Sequence, residues 1–225
     1  MLSGNKDDKM SSLIYNPAEF LNEEIIFMSL RLIAAAVVAV LGFSAFRVIR
    51  DRKYMIFGIG FTLISSAFMF KLISYLFFIK NEVCNGCEGY TWFFVFYYVF
   101  VLAYLVGATA LALLYIKIDD SYVMAFIGLL LLLTSFVSLS SFAAFSGFLG
   151  LIFGFVAMRA FEYYMHAKSR PTIMIFSSFA AVSLSQFIRA LGDMLFVSSF
   201  ILVGELLSLA GFLLLAYVLL RVYNK

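Results

Sequence analysis

The sequence predicts an all-α integral membrane protein, a bundle of seven transmembrane helices built as a parallel 3+1+3 repeat. Three observations carry the prediction. Of the 225 residues, 64% are hydrophobic, 19% aromatic and only 13% charged, where a typical soluble domain carries about 25% charged residues. Uncharged runs of about 20 residues recur, the length that crosses a hydrocarbon core of roughly 30 Å. Lysine and arginine gather in alternate connections between those runs, as cytoplasmic loops of membrane proteins do.

Residues 1–24 read as a polar extracytoplasmic tail. MLSGNKDDKMSSLIYNPAEF has no basic region followed by an apolar stretch and a small-residue cleavage site, so no processed leader is expected. The seven-helix domain then covers 25–225, with apolar segments at 25–46, 54–79, 90–116, 122–138, 142–158, 172–196 and 198–220. The fourth and fifth come from one uncharged run, 122–158. As a single helix its roughly 37 residues would reach about 55 Å, too long for a bilayer. A turn at the serine-rich SFVSLSSF, 135–142, divides it.

Charge parity supports that division. Arg47, Arg50, Arg52, Lys53, Lys117, Arg159, Lys168, Arg170, Arg221 and Lys225 fall on one side, against Lys6, Lys9 and Lys80 on the other. Lys117 and Arg159 share a side only if the run between them crosses twice. The expected placement is a cell membrane, with the N-terminus outside and the C-terminus in the cytoplasm. The net charge of +3 follows this topology pattern without forming one patch, so no nucleic-acid partner is expected.

Three weak matches in register suggest an internal repeat. GFSAFR (42–47) ends the first helix as GFVAMR (154–159) ends the fifth. MIF opens the second helix at Met55 and recurs in the sixth at Met174. LVGATALALLYIK (105–117) aligns with LAGFLLLAYVLLR (209–221). The halves would be 25–117 and 142–221, with 122–138 as the linker helix. In topology this plan is similar to the SWEET and PQ-loop transporters, and its helix count to microbial rhodopsins. The residues depart from both. The two prolines, Pro17 and Pro171, lie outside the spans, so the helix-kinking prolines of the transporters are missing, and the seventh helix has no lysine to carry retinal.

Ionisable groups at bilayer depth cost roughly 2.5–3.5 kcal/mol each on insertion scales and mark sites or paired networks. Five fall within the spans: Arg31, Lys71, Arg189, Asp193 and Glu205. Arg31, Lys71, Arg189 and Glu205 lie about six to eight residues from the outer ends of their helices, roughly 9–12 Å. Asp193 stands one turn above Arg189 on the same face. A shared polar layer in the outer half of the bundle is expected. Three cations against two carboxylates leave a surplus of +1, which suits an anionic or lipid-like ligand, with Arg189 as the bidentate fork. Closed structural pairing and snorkelling of Arg31 and Lys71 to headgroups are the competing readings.

Other motifs carry less. Cys84 and Cys87 flank an Asn-Gly turn in KNEVCNGCEGY (80–90), and a disulfide across that outer loop is expected. They cannot relay electrons without a second pair, nor hold zinc without more ligands. His166 follows Glu162 by four residues and is expected at a solvated helix end, so no metal site is expected, and no cofactor. ALGD (190–193) is similar to the GxGD of intramembrane aspartyl proteases, but Ala190 stands where the first glycine would, and the spans hold no second aspartate. Gly147, Gly150 and Gly154 form a smooth helix face for close packing. The outer rings of YTWFFVFYYVF (90–100) suit an interfacial belt, and the deeper ones, Phe96 to Phe100, are expected as core or lipid-facing bulk, with an apolar cavity beneath the charged layer as the alternative.

No nucleophile, base and oxyanion donor assemble from these residues, so an enzyme is not expected. The expected function is binding or transport of a small anionic or amphipathic ligand through the polar layer, in contact with membrane lipids. The alternative is a sensory or accessory subunit. With no output domain expected, such a subunit would signal through a cytoplasmic protein partner at the basic loops.

Overall fold

The computed structural model describes residues 17–83, 89–114, 134, 141–195 and 197–223. Among the described residues the chain is all-helical, and six helices are long and apolar enough to cross a membrane. We label them α1 (Pro17–Ile49), α2 (Arg52–Val83), α3 (Gly89–Leu113), α4 (Phe142–Ala167), α5 (Arg170–Leu195) and α6 (Ser198–Tyr223). The expected helix at 122–138 lies outside the described residues apart from Thr134, as do Cys84, Cys87 and most of the serine-rich turn. The turn's expected end is described: α4 begins at Phe142, with the Ser141 hydroxyl accepting from the Ala144 amide at 3.2 Å, a hydroxyl cap on an otherwise unpaired donor.

Two boundaries differ from expectation. Helix α1 starts at Pro17, eight residues before its apolar run, because a proline costs nothing at the first helical position and the polar residues after it need no burial. Helix α4 continues to Ala167, nine residues past Met158, because its last turns leave the apolar region carrying exposed Glu162, Tyr163 and His166. His166 therefore sits at an exposed helix end, as expected.

Each described helix packs on its neighbours in sequence, and α6 returns to pack on α1, closing a ring of six. Aromatic side chains fill the ring. Phe61 and Phe68 meet Phe212 edge to face at 6.0 Å, and Tyr104 meets Phe68 at 5.2 Å and Phe145 at 6.0 Å. The outer faces present Val40, Leu76, Leu151 and Met194, the arrangement expected where lipid replaces water as the solvent.

Two hairpins at the basic end are built alike. Helix α1 ends in left-handed Arg50 (φ 56°), whose N–H reaches Phe46 O at 2.8 Å. Helix α4 ends in left-handed Lys168 (φ 44°), whose N–H reaches Tyr164 O at 2.7 Å. Asp51 then caps α2 through Lys53 N at 2.9 Å, and Ser169, its hydroxyl paired with that of Thr172, leads into α5. Pro171 falls in the first turn of α5, where a missing N–H is tolerated.

Small side chains set the close approaches between helices. A Cβ on Gly107 of α3 would lie 2.8 Å from Gly60 O and 3.2 Å from Ile64 N of α2. A Cβ on Gly211 of α6 would lie 2.9 Å from Ser178 O and 3.3 Å from Val182 N of α5. Ser65 of α2 donates to Leu32 O of α1 at 3.3 Å, and Ser183 of α5 donates to Gly150 O of α4 at 2.8 Å. On the expected glycine face of α4, Gly150 and Gly154 face Phe187 and Ser183, and a Cβ on Gly147 would meet nothing within 4 Å among the described residues.

Candidate functional site

Four helices bring charge to one level, at the end of the bundle opposite the basic hairpins. Arg31 of α1 and Arg189 of α5 both reach Glu205 of α6: an Arg31 Nη2 to Glu205 Oε2 pair, and Arg189 Nη1 to Glu205 Oε1 at 2.9 Å. All three side chains are 4% exposed or less. These are ion pairs by distance, while the Glu205 oxygens are not aligned for hydrogen bonds. Attraction in a low-dielectric interior offsets the cost of desolvating the three charges. The Arg31 guanidinium also lies 4.9 Å from the Phe68 ring centroid, which supplies the negative face of an aromatic quadrupole.

Lys71 of α2 takes a different partner. Its Nζ donates to Glu24 Oε1 of α1 at 2.8 Å, and Tyr75 is hydrogen-bonded to the same carboxylate. Glu24 was not among the residues expected here, because it precedes the apolar run. Its position seven residues before Arg31 was the available signal, since two helical turns put both on one face of α1. Phe142, also unforeseen, joins the two groups. Its ring centroid is 5.0 Å from Lys71 Nζ and 5.2 Å from Arg189 Cζ.

Glu24 changes the charge balance. The layer holds Arg31, Lys71 and Arg189 against Glu24, Asp193 and Glu205, so the expected surplus of +1 is absent. That argument for an anion does not survive. The local distribution is uneven instead. Glu205 is shared by two arginines, Glu24 is taken by Lys71, and Asp193 forms no ion pair among the described residues.

A cavity of about 710 Å³ opens beside this layer. Glu24, Lys71, Tyr75, Phe142, Arg189 and Asp193 line it, together with the α3 rings Phe93, Phe94, Tyr97 and Tyr98. Of the five ionisable residues singled out in the sequence, Lys71, Arg189 and Asp193 reach the cavity. Arg31 and Glu205 stand behind it and hold Arg189 in place. The α3 rings Phe93, Phe94, Tyr97 and Tyr98 wall the charged cavity, while Phe100 is buried in the core and Phe96 stacks on Phe77 at 5.4 Å and Phe70 at 6.3 Å, as packing bulk.

Gly204 makes the arrangement possible. A Cβ there would collide with Arg189 Cγ and stand 2.9 Å from Ser185 O, so the side chain of Arg189 reaches Glu205 by crossing the bare backbone of α6. Among the described residues, no group of three His, Cys, Asp or Glu could hold a metal ion. No family model matches the chain, and comparison with curated proteins and with solved structures gives no significant match.

Proposed function

We propose that the protein binds an amphipathic ligand, taking its polar headgroup into the charged cavity and leaving its apolar part among the α3 rings and lipid. The observation that carries this reading is the composition of one wall. Buried Lys71 and Arg189 and the Asp193 carboxylate share a cavity of about 710 Å³ with aromatic rings, the mixture of apolar lining and a few placed polar groups that small-ligand sites use. Binding is favoured over conduction, because Phe61, Phe68, Tyr104 and Phe212 fill the interior of the ring with almost no exposed surface. Native mass spectrometry of the protein released from its membrane tests it. A bound amphiphile that is lost from Lys71→Met is the expected result, and wild-type protein that emerges bare counts against the reading.

The same reading takes the bundle as a seven-span cell-membrane protein with its basic end in the cytoplasm and its N-terminus outside, and as a parallel 3+1+3 duplication. Recurring contacts support the duplication. Arg50 and Lys168, the Ser65 and Ser183 donors, their acceptors Leu32 and Gly150, the Gly60 and Ser178 carbonyls, and Lys71 and Arg189 are each 118 positions apart. Gly107 and Gly211, 104 positions apart, meet the corresponding groups in the third helix of each half. The 14-position difference falls between Lys71 and Gly107, where the first half is longer: the end of its second helix, the start of its third and the loop between them share the extra positions.

A second reading, a sensory or accessory subunit, rests on the exposed Arg47, Arg50, Arg52, Lys53, Lys168 and Arg170 at the two matching hairpins. An acidic cytoplasmic partner would dock there. Stoichiometric copurification of a soluble protein supports it, and its loss on replacing these cations with glutamine places the contact.

A further inference from the structure

We infer that the cavity selects a zwitterionic headgroup, one that carries an anionic group and an ammonium joined by a short bridge, bound with its anion deep at Arg189 and its cation outward at Asp193. The inference rests on the amphipathic-ligand reading and adds the class of headgroup. It starts from which charges are already satisfied. Glu24 and Lys71 close on each other at 2.8 Å and contribute little net field. Two guanidiniums share the single carboxylate of Glu205, so the Arg189 end of the cavity carries an excess of one positive charge. Arg189 Nε is buried and has no hydrogen-bond partner among the described residues, in a side chain 4% exposed.

Asp193 supplies the opposite excess. It lies on the same face of α5, four residues on and nearer the helix end, with Oδ2 buried and without a hydrogen-bond partner among the described residues. Positions i and i+4 place the two Cβ atoms about 5–6 Å apart on one helix face, with the Arg189 guanidinium drawn inward to Glu205 and the Asp193 carboxylate nearer the helix end. The cavity therefore presents a fixed dipole, positive inside and negative toward the mouth. An anion alone would satisfy Arg189 and be repelled by Asp193, and a cation alone would do the reverse. A zwitterion of matching length satisfies both.

The remaining wall suits the cationic end. Tyr97, Tyr98, Phe93 and Phe94 line the cavity with Asp193, and aromatic faces beside a carboxylate are the usual surroundings of a substituted ammonium. The deep end suits phosphate or carboxylate, which a guanidinium and the neighbouring ammonium of Lys71 recognise through charge-assisted hydrogen bonds. A phospholipid headgroup and a free phosphoammonium solute share this chemistry.

Trp92, the single tryptophan, packs with Phe77 and Phe96 away from the cavity lining, so binding is read by isothermal titration calorimetry. Full-length protein in a neutral maltoside at pH 8 is titrated, below micelle concentration, with dihexanoylphosphatidylcholine, dihexanoylphosphatidylglycerol, hexyltrimethylammonium and free phosphocholine. The expected result is saturable binding of the phosphatidylcholine about tenfold tighter than the anionic or cationic amphiphile. That preference is lost in Asp193→Asn and kept in Asp193→Glu. Asp193 is only half-buried at a helix end, so both variants fold. If free phosphocholine binds as tightly as the lipid, the zwitterion stands and its source is a solute; if it binds much more weakly, the source is a lipid. Equal or tighter binding of the anionic lipid, or a preference unchanged in Asp193→Asn, overturns the zwitterion and leaves the amphipathic ligand standing. Saturable binding of none of the probes overturns both.

Discussion

Arg31 and Arg189 share one buried carboxylate, that of Glu205, although they come from opposite halves of the sequence. The trio ties α1, α5 and α6 together where the ring of helices closes, and it fixes the arginine that forms the deep wall of the cavity. Packing and site geometry therefore depend on the same three side chains, and substitutions there separate the two roles.

Glu205→Gln leaves two buried guanidiniums without their common counter-charge. We expect a loss of about 3–5 kcal/mol, the cost of an uncompensated buried charge. Arg31→Met keeps the Arg189 pair intact and replaces a buried cation with an apolar side chain, so its loss is smaller. Unfolding of both variants in the same detergent checks the order.

Gly204→Ala and Gly147→Ala form a matched pair. At position 204 the added methyl group collides with Arg189 Cγ and with the Ser185 carbonyl; overpacking of this kind costs about 1–3 kcal/mol and moves Arg189, weakening ligand binding as well. At position 147 the methyl group meets nothing within 4 Å among the described residues, so the gain in helix propensity is up to about 1 kcal/mol. Thermal unfolding and ligand titration of the two variants should move in opposite directions or, for position 147, not at all.

Gly107→Ala and Gly211→Ala test the duplication. Each puts a methyl group within 2.9 Å of a carbonyl on the neighbouring helix, and each should destabilise by a similar amount, about 1–3 kcal/mol. A large loss at one position and none at the other would mean that the two halves do not pack alike.

Single cysteines at positions 51 and 169, in a Cys84→Ser, Cys87→Ser background, test the membrane topology. Both should be labelled by an impermeant maleimide only when the cytoplasmic face is exposed. Labelling of the two from opposite faces would remove the argument for a crossing between Lys117 and Phe142.

The class of fold was legible because apolar length and lysine and arginine placement are local properties of the chain. The charged layer was legible for a related reason: Arg31, Lys71, Arg189 and Glu205 stand out against an uncharged background. Partner choice was not. Glu24 precedes the apolar run by one residue, and only the start of α1 at Pro17 makes it part of a helix that carries it to Lys71. For the proposed repeat, the Gly107 and Gly211 alignment agrees with the recurring contacts, but GFSAFR pairs with GFVAMR 112 positions on where the contacts recur at 118, because apolar strings match readily in a wrong register. Gly204 and Phe142 could not be singled out, since a glycine or phenylalanine in a membrane helix has no signature until its neighbours are known.

The most direct test of the cavity as a ligand site is a high-resolution structure of the protein in native-lipid nanodiscs. The account predicts headgroup density against Lys71 and Arg189, an apolar tail leaving along Phe94 and Tyr98, and Asp193 turned toward the ligand. A cavity closed by direct contact of Asp193 with Arg189 or Lys71, with no density between them, would contradict it.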